Sequence, residues 1–150
     1  MDMNTYAVLA KRVELFRGLV PEDIAKIFAR GMTMSVQKGE VIFYKGTVGS
    51  QMYIVLGGQV VVMDRKKVIA TLNVGDMFGE MALLNNEPRS ATVLAAEDSR
   101  LFVLSETTFQ RLLTKRVAVQ LLLNIVRTLS HRLGEANQKL ADMASQLMQR

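Results

Sequence analysis

The stretch GDMFGEMALLNNEPRSAT, residues 75–92, organises the rest of the chain. It lies among segments patterned as short strands, yet it consists of turn formers around a single helical turn. Gly75 and Gly79 allow tight backbone turns and the close approach of a ligand. Residues 81–84 are too few for a core helix and suit one turn, whose opening amides have no acceptor inside the helix. Pro88 stops any helix and sets an extended return through 90–94.

The chemistry this implies is capture of a small anion that also carries hydroxyls. Arg89 offers the planar, two-pronged donor set that suits a phosphate. Amides around 81–82 and 90–91 add uncharged donors. Glu80 would repel a phosphate, so a carboxylate nine positions before the arginine makes sense if the ligand also has a hydroxyl to donate, such as a ribose.

Phe78-Gly79-Glu80-Met81-Ala82-Leu83, a short spacer, then Pro88-Arg89-Ser90-Ala91-Thr92 resembles the phosphate-binding cassette of the cyclic nucleotide-binding domain family. The pattern is long and fixed in spacing, unlike a lone glycine motif. The resemblance implies a cyclic AMP or cyclic GMP site over Phe78, Gly79, Glu80, Met81, Ala82, Arg89, Ser90 and Ala91. In that family the residue matching Glu80 takes the ribose 2′-hydroxyl, and the one matching Arg89 pairs with the cyclic phosphate. Backbone groups at Gly79, Ala82 and Ser90 complete the cradle.

Composition sets the outer bounds. The 150 residues suit one domain with one core, and 49% hydrophobic residues exclude a disordered chain. There is no cysteine, so no disulfide or thiol chemistry, which is compatible with a reducing compartment. Residues 1–5 lack the basic-then-apolar layout of a secretory signal. The apolar runs 52–56 and 117–126 are too short or too interrupted to cross a bilayer, so a soluble, cytoplasmic protein is expected. The net charge of +5 is scattered; its densest run, Arg65-Lys66-Lys67, reads as a solvated hairpin tip. Without a recognition helix, nucleic-acid binding is not expected.

Residues 5–16 read as a helix pair or a helix plus turn ended at Gly18. Pro21 starts a helix to about Arg30, with Glu22 and Asp23 in its first turn, Ile24, Ile27 and Phe28 inward, and Gly31 at its end. Between 33 and 104 the period changes to short β-rich runs: 33–37, 41–44, 51–56, 59–64, 68–72, 91–95 and 100–104. Gly57-Gly58 reads as a two-residue hairpin loop joining 52–56 to 59–63. The fold class expected is α+β, mainly β: an antiparallel β-roll or jelly-roll barrel with N-terminal helices and a long C-terminal helix. One domain over 1–150 would divide into an N-terminal helical segment, 1–31, a β-roll, 32–104, holding the cassette 75–92, and C-terminal helices, 105–150.

A β-roll raises the rival of a cupin-type metal enzyme, whose site needs clustered histidines and a carboxylate. The one histidine, His131, lies in the C-terminal helical tract, so no such centre and no metal cofactor is expected. No serine or threonine has a plausible histidine base nearby. Glu80 with Asp76 or Glu87 is a poor acid–base couple, because Arg89 would keep a neighbouring carboxylate ionised. The chain is therefore not read as an enzyme.

Ser105-Glu106-Thr107-Thr108 reads as an N-cap and acidic first turn of a helix to about 115–116, with Phe109, Leu112 and Leu113 inward. The final helix repeats apolar residues at threes and fours. Val119, Val126, Leu133, Leu140 and Leu147 take the a positions of a heptad, and Leu122, Leu129, Ala136 and Met143 the d positions. Leu121, Leu123 and Ile125 also require packing on the β-roll, whereas beyond Leu133 only the narrow seam remains apolar. A parallel homodimer through 119–147 is expected. Gly134, off the seam, reads equally as room for a base, a hinge or a tolerated glycine.

Arg132-Leu133 anchors a resemblance to the catabolite activator type of regulator, in which this helix forms the dimer and touches the purine. That implies a base contact from Asn137, with Ala136 standing where a hydroxyl-bearing residue is usual. No DNA-reading helix-turn-helix of that type is found in 1–150, so DNA is not an expected partner. Ser90 could serve the phosphate or a guanine amino group, while Asn137 leans toward cyclic AMP. The function expected is a sensor that relays nucleotide occupancy through its C-terminal helix; the alternative is a structural dimerisation domain with an empty, degenerate pocket.

Overall fold

The strands Gln51–Gly57 and Ser99–Ser105 carry apolar residues at consecutive positions, as strands covered on both faces do. They lie side by side at the centre of one sheet, whose faces are covered by the second sheet on one side and by helices on the other. The computed structural model describes residues 3–84, 86–112 and 115–149. Its elements are α1 (Met3–Arg12), a 3₁₀ turn at Glu14–Phe16, α2 (Pro21–Arg30), β1 (Met32–Val36), β2 (Val41–Phe43) and β3 (Gln51–Gly57). Then come β4 (Val60–Asp64), β5 (Lys67–Leu72), β6 (Met77–Phe78), α3 (Met81–Leu84), β7 (Thr92–Ala95), β8 (Ser99–Ser105), α4 (Glu106–Leu112) and α5 (Lys115–Met148).

The strands form two antiparallel four-stranded sheets, ordered β1-β8-β3-β6 and β2-β7-β4-β5. The architecture is thus the expected mainly-β roll with N-terminal helices and a long C-terminal helix. It is not a closed barrel: the two sheets stay separate. Tyr53, Val55, Leu101 and Val103 point from the first sheet toward Val60, Leu72, Val93 and Ala95 of the second, forming one core between the sheets. Met52, Ile54, Phe102 and Leu104 point the other way, toward Leu15, Phe16, Ile24, Ile27, Leu121 and Ile125. The period-two alternation therefore builds two cores from alternate residues of the same strands.

The expected hairpin at Gly57-Gly58 does not form. β3 pairs with β8 and β6, and β4 pairs with β5 and β7, so these glycines turn the chain from one sheet into the other. Gly58 has φ +82°, and a Cβ there would collide with Ser99 and the Asp98 carbonyl. A corner between sheets uses the same glycine chemistry as a hairpin, which is why the sequence pattern misleads. The tight hairpin is at the basic run, where Asp64 pairs with Lys67 across Arg65 (φ 51°) and Lys66 (φ 66°). β6 has only two residues, too few for a periodic signal.

α5 carries two apolar stripes. Val117, Leu121 and Ile125 are buried against the roll. Asn124 is buried beside them and donates to the carbonyls of Leu15 (2.8 Å) and Arg17 (2.7 Å), tying α5 to the 3₁₀ turn. The heptad residues Val119, Leu122, Val126, Leu133, Leu140, Met143 and Leu147 are exposed, and only Leu129 of that series leans on the core. Leu123, expected on the roll, is exposed instead. Ser105 Oγ accepts from the Thr108 amide at 3.1 Å, capping α4. Phe109 is buried; Leu113 and the Leu112 side chain lie outside the described residues. No described helix is long and apolar enough to cross a membrane.

The two stripes make opposite demands on substitution. Ile125→Ala opens the helical core and should lower stability by about 2–5 kcal/mol in urea unfolding. Leu123→Ala should change it by less than about 0.5 kcal/mol.

Candidate functional site

Arg89 sits where β7 is about to begin, and its backbone is fixed before its side chain is considered. Its amide donates to the Thr47 carbonyl (2.8 Å) and its carbonyl accepts from the Gly46 amide (2.8 Å). The guanidinium turns inward and is 8% exposed. Nη1 donates to the Gly79 carbonyl (3.0 Å) and Nη2 to the Gln51 carbonyl (2.7 Å). Its Cζ lies 4.2 Å from the centre of the Phe43 ring, within cation–π range. The Phe43 ring belongs to a cluster with Tyr53 and Phe78, the latter two stacked at 5.0 Å.

Two features make this an unfinished arrangement. Arg89 Nε is buried without any hydrogen-bond partner. Among the described residues no carboxylate lies within 4 Å of the guanidinium. Burial pulls the Arg89 pKa below its ordinary value, while Tyr53 and Glu80 push back toward the charged form. A buried cation with a free donor and no counter-ion is costly unless something anionic joins it.

Glu80 is 5% exposed and stands beside the same space. Its partner is Arg132 of α5, whose Nη1 meets Glu80 Oε1 at 3.1 Å while Nη2 donates to the Met77 carbonyl at 2.7 Å. One residue of the long helix thus grips the cassette at two points.

These groups face a cavity of about 290 Å³. Phe78, Gly79, Glu80, Met81, Ala82, Arg89, Ser90 and Ala91 all line it. Phe43, Val62 and Val93 supply apolar wall, and Glu87 and Pro88 also border it. Asn137 is not in the lining; it is exposed on α5, five residues beyond Arg132. Gly79 has φ +77°, so the turn requires glycine, and a Cβ there would approach Arg89 Nη1 to 2.8 Å and push the guanidinium from its place. The amides of Ala82 and Leu83 are occupied within the turn, on the carbonyls of Gly79 (3.2 Å) and Glu80 (3.0 Å). Ala82 therefore does not present the free amide that its place at the start of the turn implies.

Arg132 belongs to the site although the cassette motif does not reach it. The available signal was its place four residues beyond Thr128 on the face defined by Leu121 and Ile125. Phe43 and Val62 come from distant strands and leave no local trace.

Removing one partner of the Glu80–Arg132 pair strands a buried carboxylate. Arg132→Ala should cost about 1–3 kcal/mol in urea unfolding at neutral pH. The Arg132→Ala, Glu80→Gln double variant should recover some of that loss, giving a coupling of about 0.5–3 kcal/mol.

Residues 33–116 match the model of the cyclic nucleotide-binding domain. The chain is 32% identical over 131 residues to the cyclic AMP receptor protein of Thermus thermophilus, covering 84% of this chain and 60% of that protein. It is 36% identical over 95 residues to a cGMP-dependent protein kinase of Eimeria tenella, covering 63% of this chain and 10% of that one. The crystal structure of the Thermus thermophilus catabolite activator protein superposes with a TM-score of 0.76 at 31% identity, over 87% of this chain and 63% of that one. The chain therefore spans less than two thirds of the length of each of these relatives. The match through the β-roll and cassette makes this chain a member of the cyclic nucleotide-binding domain family.

Proposed function

We propose that this chain, read as one domain over 1–150, is a cyclic nucleotide-binding sensor module whose ligand is cyclic AMP in preference to cyclic GMP. The observation that carries the proposal is the Arg89 guanidinium, buried without a counter-ion and with an unpartnered Nε, beside a buried carboxylate in one cavity. A cyclic phosphate supplies the missing anion, and a ribose hydroxyl supplies a donor for Glu80. Phe43, Val62 and Val93 give the sugar and base an apolar surface. The cavity is at the lower end of the ~300–1,000 Å³ usual for small-ligand sites. The preference for cyclic AMP rests on Asn137, whose amide could read an adenine edge if a partner helix or a movement of α5 brought it to the base. No catalytic step is assigned.

Occupancy would reach α5 through Arg132. A ribose hydroxyl on Glu80 shares or displaces the carboxylate that Arg132 holds through Oε1, so ligand changes the free energy of the docked helix. Only such a difference in affinity between two helix positions can shift their populations. The exposed heptad seam from Val119 to Leu147 favours a parallel homodimer as the assembly that registers the shift. It is also what a structural dimerisation domain with an empty pocket would show, and binding separates the two.

Calorimetry with both nucleotides tests the site. Wild type should release or absorb heat with cyclic AMP at lower concentration than with cyclic GMP. Arg89→Ala should weaken cyclic AMP by roughly 1.5–3 kcal/mol, about ten- to 150-fold, the worth of a charge-assisted contact. No heat with either nucleotide at millimolar concentration, together with an unchanged melting temperature, would leave the dimerisation domain standing. For the assembly, Leu133→Glu with Leu140→Glu should convert a dimer to a monomer in sedimentation equilibrium without unfolding the roll.

A further inference from the structure

We propose that the loop joining β2 to β3, residues 44–50, is the positioning element of the anion site, and that Gly49 sets where the Arg89 guanidinium lies. This loop is some 40 positions before Arg89 in sequence and outside the 75–92 stretch. It holds the Arg89 backbone from both sides through the Gly46 amide and the Thr47 carbonyl, each at 2.8 Å. Thr47 in turn closes the loop on itself, its hydroxyl donating to the Tyr44 carbonyl at 2.6 Å.

Gly49 then acts on the side chain by having none. A Cβ built there would lie 2.7 Å from Arg89 Nη2, 3.1 Å from Nε and 3.3 Å from Cζ. The Nη2–Nε edge is one of the two edges with which a guanidinium makes a two-pronged contact to an oxyanion, and Nε is the donor left without a partner. A methyl at position 49 would press on that edge. On the other side Gly79 leaves room for Nη1, and the guanidinium carbon lies over the Phe43 ring. The guanidinium therefore occupies a slot between two glycines and a ring. Gly49 lies outside the positive-φ region, so its backbone does not demand glycine; the present place of the Arg89 guanidinium does. Gly134, by contrast, has nothing within 4 Å of its built Cβ and serves as a neutral comparison.

Gly49 is thus a positioning residue: it acts through Arg89. The inference rests on Arg89 as the phosphate-holding group, but its test does not require nucleotide. In ligand-free protein, the Arg89 Nε–H resonance in a ¹H–¹⁵N spectrum should be shifted and exchange faster with solvent in Gly49→Ala, and should be unchanged in Gly134→Ala. In a thermal double-mutant cycle, Gly49→Ala should lower the melting temperature in wild type and have little effect beside Arg89→Ala, or beside Arg89→Gln if the alanine variant does not fold. With cyclic AMP, Gly49→Ala should weaken binding by at least about tenfold, the loss expected when one charge-assisted contact is misplaced. An unmoved Nε–H signal, or an equal stability loss with and without Arg89, overturns the inference. A moved signal in a protein that binds no cyclic nucleotide upholds the positioning role and defeats only the choice of ligand.

Discussion

A buried positive charge that touches no carboxylate among the described residues is the constraint on which the rest of this molecule depends. Arg89 is held by two backbone carbonyls and an aromatic face, none of which carries a negative charge. Such partners orient a guanidinium but compensate its desolvation incompletely. The arrangement persists because the roll over-determines it: Phe43 of β2, the β2–β3 loop, Gln51 at the start of β3 and Gly79 just after β6 each contribute a group that fixes Arg89 or lines its slot. The free energy held there is recovered when an anion enters, which links stability of the fold to binding at the site.

The two-faced sheet explains why that site communicates with the helices. β3 carries Tyr53 toward the inter-sheet core beside Phe78 and Phe43, while its next residue, Ile54, packs with the helical core that holds Leu121 and Ile125. Arg132 continues the inward stripe of α5 one turn past Thr128 and ends on Glu80 and the Met77 carbonyl. The long helix is fixed by Asn124 on the 3₁₀ turn and by Arg132 on the cassette. Between them lies about two turns of helix, with the outward seam on another face.

Much of this was legible in the sequence where the pattern is local. The cassette is legible because its glycine turn, acid and Pro-Arg pair lie within 18 residues and resemble a family motif, while their chemistry already suggests capture of an anion that carries hydroxyls. The helix at Pro21 and the cap at Ser105 read from their first turns. The corner at Gly58 did not, since glycine marks a turn without saying which strands it joins. Nor did the inward placement of Asn124 in place of Leu123: apolarity favours leucine, and only the unpaired carbonyls of the 3₁₀ turn make a buried amide preferable. Arg132, Phe43 and Gly49 escaped for a shared reason. Each meets the cassette through tertiary contact across 30 or more residues; helical period places Arg132 on the inward face of α5, but nothing local says which group any of the three meets.

The most direct measurement is a crystal structure grown with cyclic AMP in saturating excess. The account predicts phosphate oxygens within hydrogen-bond distance of Arg89 Nε, and a ribose hydroxyl on Glu80 with Arg132 displaced or sharing the carboxylate. An unfilled cavity with the guanidinium still on the Gly79 and Gln51 carbonyls, and Glu80 still closed on Arg132, would contradict it.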